Sequence, residues 1–222
     1  MNIFRHDELK AKHRALRDAE HINLRLRIHR SLSWLKRAEQ ADDLDGRFIF
    51  LWIAFNAAYA QEIENDYYLS EQAIFKAFLE KLCGLDKDKR IDALVWKEFS
   101  GSIRTLLDNP YVFEIFWLYQ RGKIAEKEWK ERFASDKKAV QSALVGGNTP
   151  VLLGVTFNRI YTLRNQIIHG GATWKSAVNR EQVRGCAKFL GKLVPVIIEL
   201  MMDNPDTLWG DACYPVVDDK GR

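Results

Sequence analysis

The most constraining feature of this sequence is an apolar segment from Phe48 to Ala60, which a single polar residue, Asn56, interrupts. The segment is about thirteen residues long, whereas a helix that spans a bilayer needs roughly twenty apolar residues. A helix that is apolar on all sides is normally buried at the centre of a protein. The segment therefore predicts a central core helix rather than a membrane anchor, and the rest of the chain must pack around it.

Apolar residues in the remainder of the chain recur at helical spacing, and no alternating strand pattern or internal repeat is found. Only five prolines and thirteen glycines occur among the 222 residues, so long helices can run without interruption. The sequence predicts an all-α antiparallel bundle of roughly seven or eight helices. We expect a single domain over residues 1–222, with a charged N-terminal arm (1–20) that is a solvated helix or a frayed extension, and an irregular C-terminal tail (205–222).

Residues that favour helix termini indicate several boundaries. Thr149 and Pro150 are predicted to begin the most clearly delimited helix, which extends to His169. The core helix is predicted to begin at Asp45, and the helix after it to end at Gly84. Apolar spacing predicts the remaining helices, over residues 24–35, 70–84, 91–107, 126–144 and 181–202.

Charge and cysteine content restrict the functional class only loosely. A formal charge of +4 and a pI near 8.9 permit a polyanionic partner without requiring one. Three separated cysteines and a charged N-terminus predict a cytoplasmic protein without a disulfide framework or signal peptide. His13, His21 and His29 lack carboxylate or cysteine companions at ligand spacing, so we expect neither a metal site nor a cofactor.

Three polar residues lie on or beside the apolar face of the predicted 149–169 helix. The apolar stripe reaches Ile160 and then meets Arg164, while Asn165 and His169 border the same face. Burying such groups without partners costs several kcal/mol, so they belong in a polar pair, in water or at an interface. Arginine binds phosphate oxygens in a bidentate manner, and histidine transfers protons near neutral pH. The pattern indicates a phosphodiester site, although a structural role stays open at this point.

The segment Arg164-Asn165-Gln166-Ile167-Ile168-His169 resembles the R-N-x-x-x-H motif of HEPN-domain proteins. The apolar segment 48–59 is similar to the helix that precedes this motif in bacterial members, especially those of the Apea-like type. The resemblance covers about residues 24–202 and is specific mainly at these two helices.

This resemblance implies an α-helical bundle that dimerises and places two Arg/His motifs across one cleft. In active members the ribose 2′-hydroxyl attacks the adjacent phosphate without a metal ion. His169 would then transfer a proton, Arg164 would clamp the transition state, and Asn165 would orient them. The resemblance also implies RNA as substrate, a toxin or phage-defence role and a neutralising antitoxin. Residues 170–173 contain no tyrosine that an adenylylating antitoxin could modify.

Other residues are candidates for supporting roles. Asn56 could brace Arg164 or His169, or it could satisfy a backbone group. Lys175, Asn179 and Arg180 could contact RNA phosphates, or they could form a solvated loop. The aromatic residues within 113–119 could stack on bases, although a place in the core is the simpler reading.

Two alternatives to a nuclease stay open. The chain could be a non-catalytic HEPN module that binds RNA, a nucleotide or a protein partner through the same cleft. It could also be a helical scaffold in which the polar residues pair inside a dimer seam.

Overall fold

The computed structural model describes residues 5–60 and 71–214, which contain ten α-helices and no β-strand. The predicted all-α class is therefore confirmed. The helices are more numerous than predicted because the predicted helix over 91–107 is divided and because the N-terminal arm contains a helix of its own. In chain order, the α-helices are α1 (His6–Leu16), α2 (Ile22–Glu39), α3 (Leu44–Tyr59), α4 (Glu71–Leu85), α5 (Arg90–Ala93), α6 (Ser100–Asp108), α7 (Glu114–Gln120), α8 (Glu126–Val145), α9 (Thr149–Ile168) and α10 (Arg180–Asp203).

The predicted core helix, α3, is confirmed at the centre of the bundle. Its Phe48, Trp52 and Phe55 side chains are almost fully buried. Helix α2 packs antiparallel to α3 across a short turn, and α10, α4 and α9 complete the surroundings of α3. Across residues 5–60 and 71–214, none of the helices combines the length and the apolar character required to cross a bilayer.

The start of α3 differs from the prediction. Asp43, not Asp45, is the N-cap, and its carboxylate accepts a hydrogen bond from the Gly46 amide at 2.8 Å. That hydrogen bond is the main cause of a lowered pKa of the Asp43 carboxyl. Asp45 instead lies in the first turn of the helix, which leaves its carboxylate available for a contact with a distant segment.

The predicted helix over 91–107 is wrong as a continuous element. A π-helical turn, Leu94–Glu98, separates α5 from α6. The indole of Trp96 lies in this turn and donates a hydrogen bond of 2.7 Å to the Thr149 hydroxyl, so the turn is fixed to the start of α9. Gly84 also fails to end α4, which continues to Leu85; residue 70, the predicted start, lies outside the described residues.

Over residues 6–16 the N-terminal arm is helical, which was one of the two alternatives, but this helix is packed against the bundle and is not solvated on all sides. Helix α1 packs against α2 and α10 through Leu9 and His13, which are 1% and 2% exposed. The His13 Nε2 atom lies 3.4 Å from the Glu20 carboxylate, and both side chains are buried. A carboxylate therefore does accompany this histidine, at a sequence separation that ligand-spacing rules do not consider.

A buried arginine holds the C-terminal tail against the bundle. Arg27 is 1% exposed and donates hydrogen bonds of 2.8 and 2.7 Å to the carbonyl oxygens of Ala58 and Asp211. The tail is irregular as predicted up to residue 214, and Trp209 packs into the core. The remainder of the predicted tail, residues 215–222, lies outside the described residues.

Candidate functional site

The candidate site lies at the carboxyl end of α9, where the predicted boundaries are confirmed. The helix ends at Ile168, His169 is its C-cap, and Gly170 adopts a left-handed φ of +70°, which suits glycine. At the other end, Asn148 is the cap rather than Thr149. The Asn148 side chain accepts from the Val151 amide at 3.1 Å, whereas the Thr149 hydroxyl is taken by Trp96.

Arg164 is half-buried at the point where α9 leaves the core. Its guanidinium lies 5.8 Å from the ring centres of both Trp52 and Tyr161, within the range of a cation–π interaction. Its Nη1 donates to the Asn165 side-chain oxygen at 2.8 Å, while its buried Nε has no hydrogen-bond partner. No ion pair joins Arg164 to a carboxylate within 5–60 and 71–214.

Asn165 and His169 line one open groove of about 350 Å³, which we call the His169 groove. Its other wall comes from α7 and the residue after it, including Glu114, Trp117 and Arg121. The Arg121 Nε donates to the Trp117 carbonyl at 3.1 Å, and the guanidinium is exposed. Because the carboxyl end of a helix carries partial negative charge, a phosphate here requires side-chain cations such as Arg121.

The structure therefore brings Asn165 and His169 together in one groove, but Arg164 is not among the groove's lining residues. Within a single chain, Arg164 reaches the groove only through its hydrogen bond to Asn165. Asn56 is half-buried on α3, and its side chain makes no hydrogen bond to Arg164 or His169.

One carboxylate fixes the loop that connects α9 to α10. Asp45 accepts from the Lys175 amide at 2.9 Å and from the Arg180 guanidinium at 2.5 Å. Lys175 has a left-handed backbone (φ +57°), a conformation that non-glycine residues rarely adopt. The loop is thus held in a defined position against the start of α3, and Arg180 is engaged in an ion pair.

Asn179 belongs to a chain of side-chain amides between this loop and α9. It accepts from the Asn109 amide at 3.1 Å and donates to the Gln166 side-chain oxygen at 3.1 Å. The Gln166 amide in turn donates to the Tyr111 carbonyl at 2.6 Å. Two of the three predicted RNA-contacting residues carry a charge. Arg180 is paired with Asp45, whereas the Lys175 ammonium forms no ion pair with the described residues and lies 4.3 Å from the Trp174 ring centre.

A larger pocket of about 710 Å³ adjoins the groove, and we call it the Trp174 pocket. Trp117 and Gln166 line both cavities, so the two are adjacent. Trp174 is 71% exposed and Tyr111 is 51% exposed, which is unusual for large aromatic side chains. The Trp174 indole also contributes to the lowered pKa of Asp43, after the Gly46 amide, and so lies beside that carboxylate.

A buried ion pair positions the α7 wall of the groove. Arg159 on α9 is 2% exposed, pairs with Asp136 on α8, and lies 4.2 Å from the ring centre of Phe113, the residue before α7. Burial lowers the pKa of Arg159, which Asp136 opposes, and burial raises the pKa of Asp136, which Arg159 opposes. This contact joins three segments of the chain behind the groove.

Sequence reasoning missed Arg121, Glu114 and Trp174 as site residues. No local pattern distinguishes them, because only the packing of α7 and the 169–179 loop against α9 brings them together.

The described part of the chain contains no group of three or more His, Cys, Asp or Glu side chains placed to hold a metal ion. Comparisons with protein-family models, with curated proteins and with solved structures find no match to this chain.

Proposed function

We propose that this chain is a metal-independent endoribonuclease of the HEPN type that acts as a homodimer, of the kind found among toxins and phage-defence effectors. The observation that supports this most strongly is that Asn165 and His169 share an open groove with an exposed cation, Arg121. Two of the three motif residues thus lie at an accessible helix end, whereas Arg164 is half-buried.

In the proposed reaction, the ribose 2′-hydroxyl oxygen forms a bond to the adjacent phosphorus while the bond from phosphorus to the 5′-oxygen breaks. The hydroxyl proton is removed, and a proton is delivered to the departing 5′-oxygen. His169 transfers a proton, since imidazole exchanges protons near neutral pH. Arginine stabilises the charge on the non-bridging oxygens. The products carry a 2′,3′-cyclic phosphate and a 5′-hydroxyl.

The position of Arg164 favours a site completed by a second copy of the chain. No carboxylate in the described part of the chain pairs with its guanidinium, yet in one chain it faces Trp52 and Tyr161 and not the groove. A dimer that places the α9 ends together would give Arg164 of each copy access to phosphate. Arg121 would then be a second phosphate contact, which the motif does not include.

The test is incubation of RNA with wild-type protein in EDTA, followed by analysis of the new ends. We expect cyclic phosphate ends, with cleavage lowered about 10²–10⁴-fold in His169→Ala, the usual loss for a proton-transfer group. Arg164→Ala should also lose cleavage. Arg14→Ala and His21→Ala are matched controls, because both residues are exposed and neither lines the groove. Cleavage that disappears with EDTA, or persists in His169→Ala, contradicts the proposal.

A second candidate is a non-catalytic HEPN module that binds RNA, a nucleotide or a protein partner through the same groove. The absence of Arg164 from the groove lining favours it, because the clamp and the proton-transfer group are not adjacent in one chain. It predicts retained RNA binding in His169→Ala and no new RNA ends with wild-type protein. An antitoxin would be a protein partner in either case.

A further inference from the structure

The Trp174 pocket has the features of a site for a flat, polar ring. Trp174 and Tyr111 present exposed aromatic surface, and Val178, which also lines the pocket, is 69% exposed. Its volume of about 710 Å³ lies within the roughly 300–1,000 Å³ of small-molecule sites. Exposed apolar surface of this kind normally marks an interaction site.

The polar groups of the pocket suit the edge of a nucleobase. Gln166 and Asn179 line it, and each carboxamide carries two donors and two acceptor positions. The amide chain uses only part of this capacity, since each amide nitrogen has one hydrogen bond within the chain. The same bonds hold both side chains in place, so their remaining donors and acceptors are oriented before a ligand arrives.

The pocket is also pre-formed, and the one cation among the described residues that line it, Arg180, is paired with Asp45. Asp45 fixes the loop at two points, Lys175 and Arg180, and the Lys175 ammonium lies over the Trp174 ring. An ordered loop loses little entropy when it binds a ligand. The pocket lies directly beside the His169 groove, because Trp117 and Gln166 line both.

We propose that the Trp174 pocket holds an unpaired nucleobase of single-stranded RNA, stacked on Trp174, next to the phosphodiester in the His169 groove. This proposal rests on the proposed function for the identity of the polymer. It accounts for an exposed tryptophan on a fixed loop beside the His169 groove. It also predicts that the protein acts on unpaired RNA, because a base inside a duplex cannot enter the pocket.

The test is binding of the full chain to a fluorescein-labelled 2′-O-methyl oligoribonucleotide, measured by fluorescence anisotropy. This probe lacks the attacking hydroxyl and cannot be cleaved. Trp174→Ala should weaken binding about tenfold, within the range measured for loss of one base–aromatic stack. Val145→Ala is the control: Val145 is 81% exposed, lies at the end of α8, and lines neither cavity of the site, so binding should not change.

A second arm places one abasic site at successive positions of the probe. With wild-type protein, an abasic site at one position should weaken binding by about the same factor as the Trp174→Ala substitution does. With the Trp174→Ala protein, an abasic site at that position should not weaken binding further. Such non-additivity identifies the base that contacts the tryptophan. Equal binding by wild type and Trp174→Ala, absence of binding by wild type, or additive effects of the two changes overturns the pocket assignment.

Sedimentation velocity separates a base pocket from a contact between copies of the chain. If Trp174→Ala converts a dimer to a monomer, the exposed patch is a dimer contact and the nucleobase proposal is wrong. Failure of the proposed function gives a different result. In that case unmodified RNA stays intact with wild-type protein, while binding that depends on Trp174 persists.

Discussion

Acidification should destabilise this protein through His13, the buried histidine of α1. Its side chain is 3% exposed, and its Nε2 atom lies 3.4 Å from the equally buried Glu20 carboxylate. The pKa of His13 is lowered from 6.5 to about 4. The largest cause is burial, and the remaining causes are the neighbouring side chains Lys10, His29, Arg17 and Arg25.

The sign and size follow from the difference between the folded and unfolded pKa values. A lowered folded-state pKa contributes stability that is present above 6.5 and is lost as the pH falls towards 4. Between about pH 7 and about pH 5, this titration alone should cost about 2 kcal/mol of unfolding free energy. Burial raises the pKa of Glu20, so its titration acts in the opposite sense and reduces the net loss.

Urea unfolding followed by far-UV circular dichroism measures this effect at the two pH values. In His13→Gln the loss of unfolding free energy on acidification should be smaller than in wild type by about 2 kcal/mol. In Glu20→Gln the loss should be larger than in wild type, because the opposing titration is removed. The readout is the pH-dependent difference, so a general destabilisation by either variant does not affect it. Equal pH dependence in wild type and His13→Gln would refute the reasoning.

Three further outcomes are expected. Asp45→Ala should lower the free energy of unfolding by about 1–3 kcal/mol, because Arg180 and the Lys175 amide lose their acceptor. Amide hydrogen exchange in residues 170–179 should become faster in this variant, and unchanged exchange there argues against the anchoring role of Asp45. Phe157→Ala should cost about 3–5 kcal/mol in urea unfolding, since Phe157 is 0% exposed. Burial raises the pKa of the Cys83 thiol to about 12 and also raises the pKa of the Cys186 thiol. Iodoacetamide should therefore modify Cys186 only after unfolding, and rapid labelling of Cys186 in the native protein contradicts this.

The helical class and the central helix could be predicted because both depend on local apolar spacing. A helix that is apolar all round, such as residues 48–59, has few places other than a core. The ends of α9 were also predictable, since proline near the first turn and glycine after the last are local signals. The division at Leu94–Glu98 was not, because the apolar spacing of residues 91–107 contains no signal for a π-helical turn; the tertiary hydrogen bond from Trp96 to Thr149 fixes this turn against α9.

The candidate site could be predicted only in part. The motif gave Asn165 and His169, which lie on one exposed helix end as expected for reactive groups. It did not indicate that Arg164 would face Trp52, because residues five apart on a helix point in different directions and their partners decide where each side chain settles. Arg121 could not be predicted at all, since α7 approaches α9 only through tertiary contacts.

The clamp formed by Arg27 has a consequence for any shortened version of the chain. Over residues 5–60 and 71–214 no carboxylate forms an ion pair with this cation. The carbonyl groups of two peptides, at Ala58 and Asp211, accept its hydrogen bonds inside the protein, and the Asp211 carboxylate adds a favourable charge interaction. Trimming the tail before Asp211 would remove one of these carbonyl groups and leave a desolvated positive charge half satisfied. Loss of activity in such a truncated protein would therefore report a weakened bundle and not a missing functional segment.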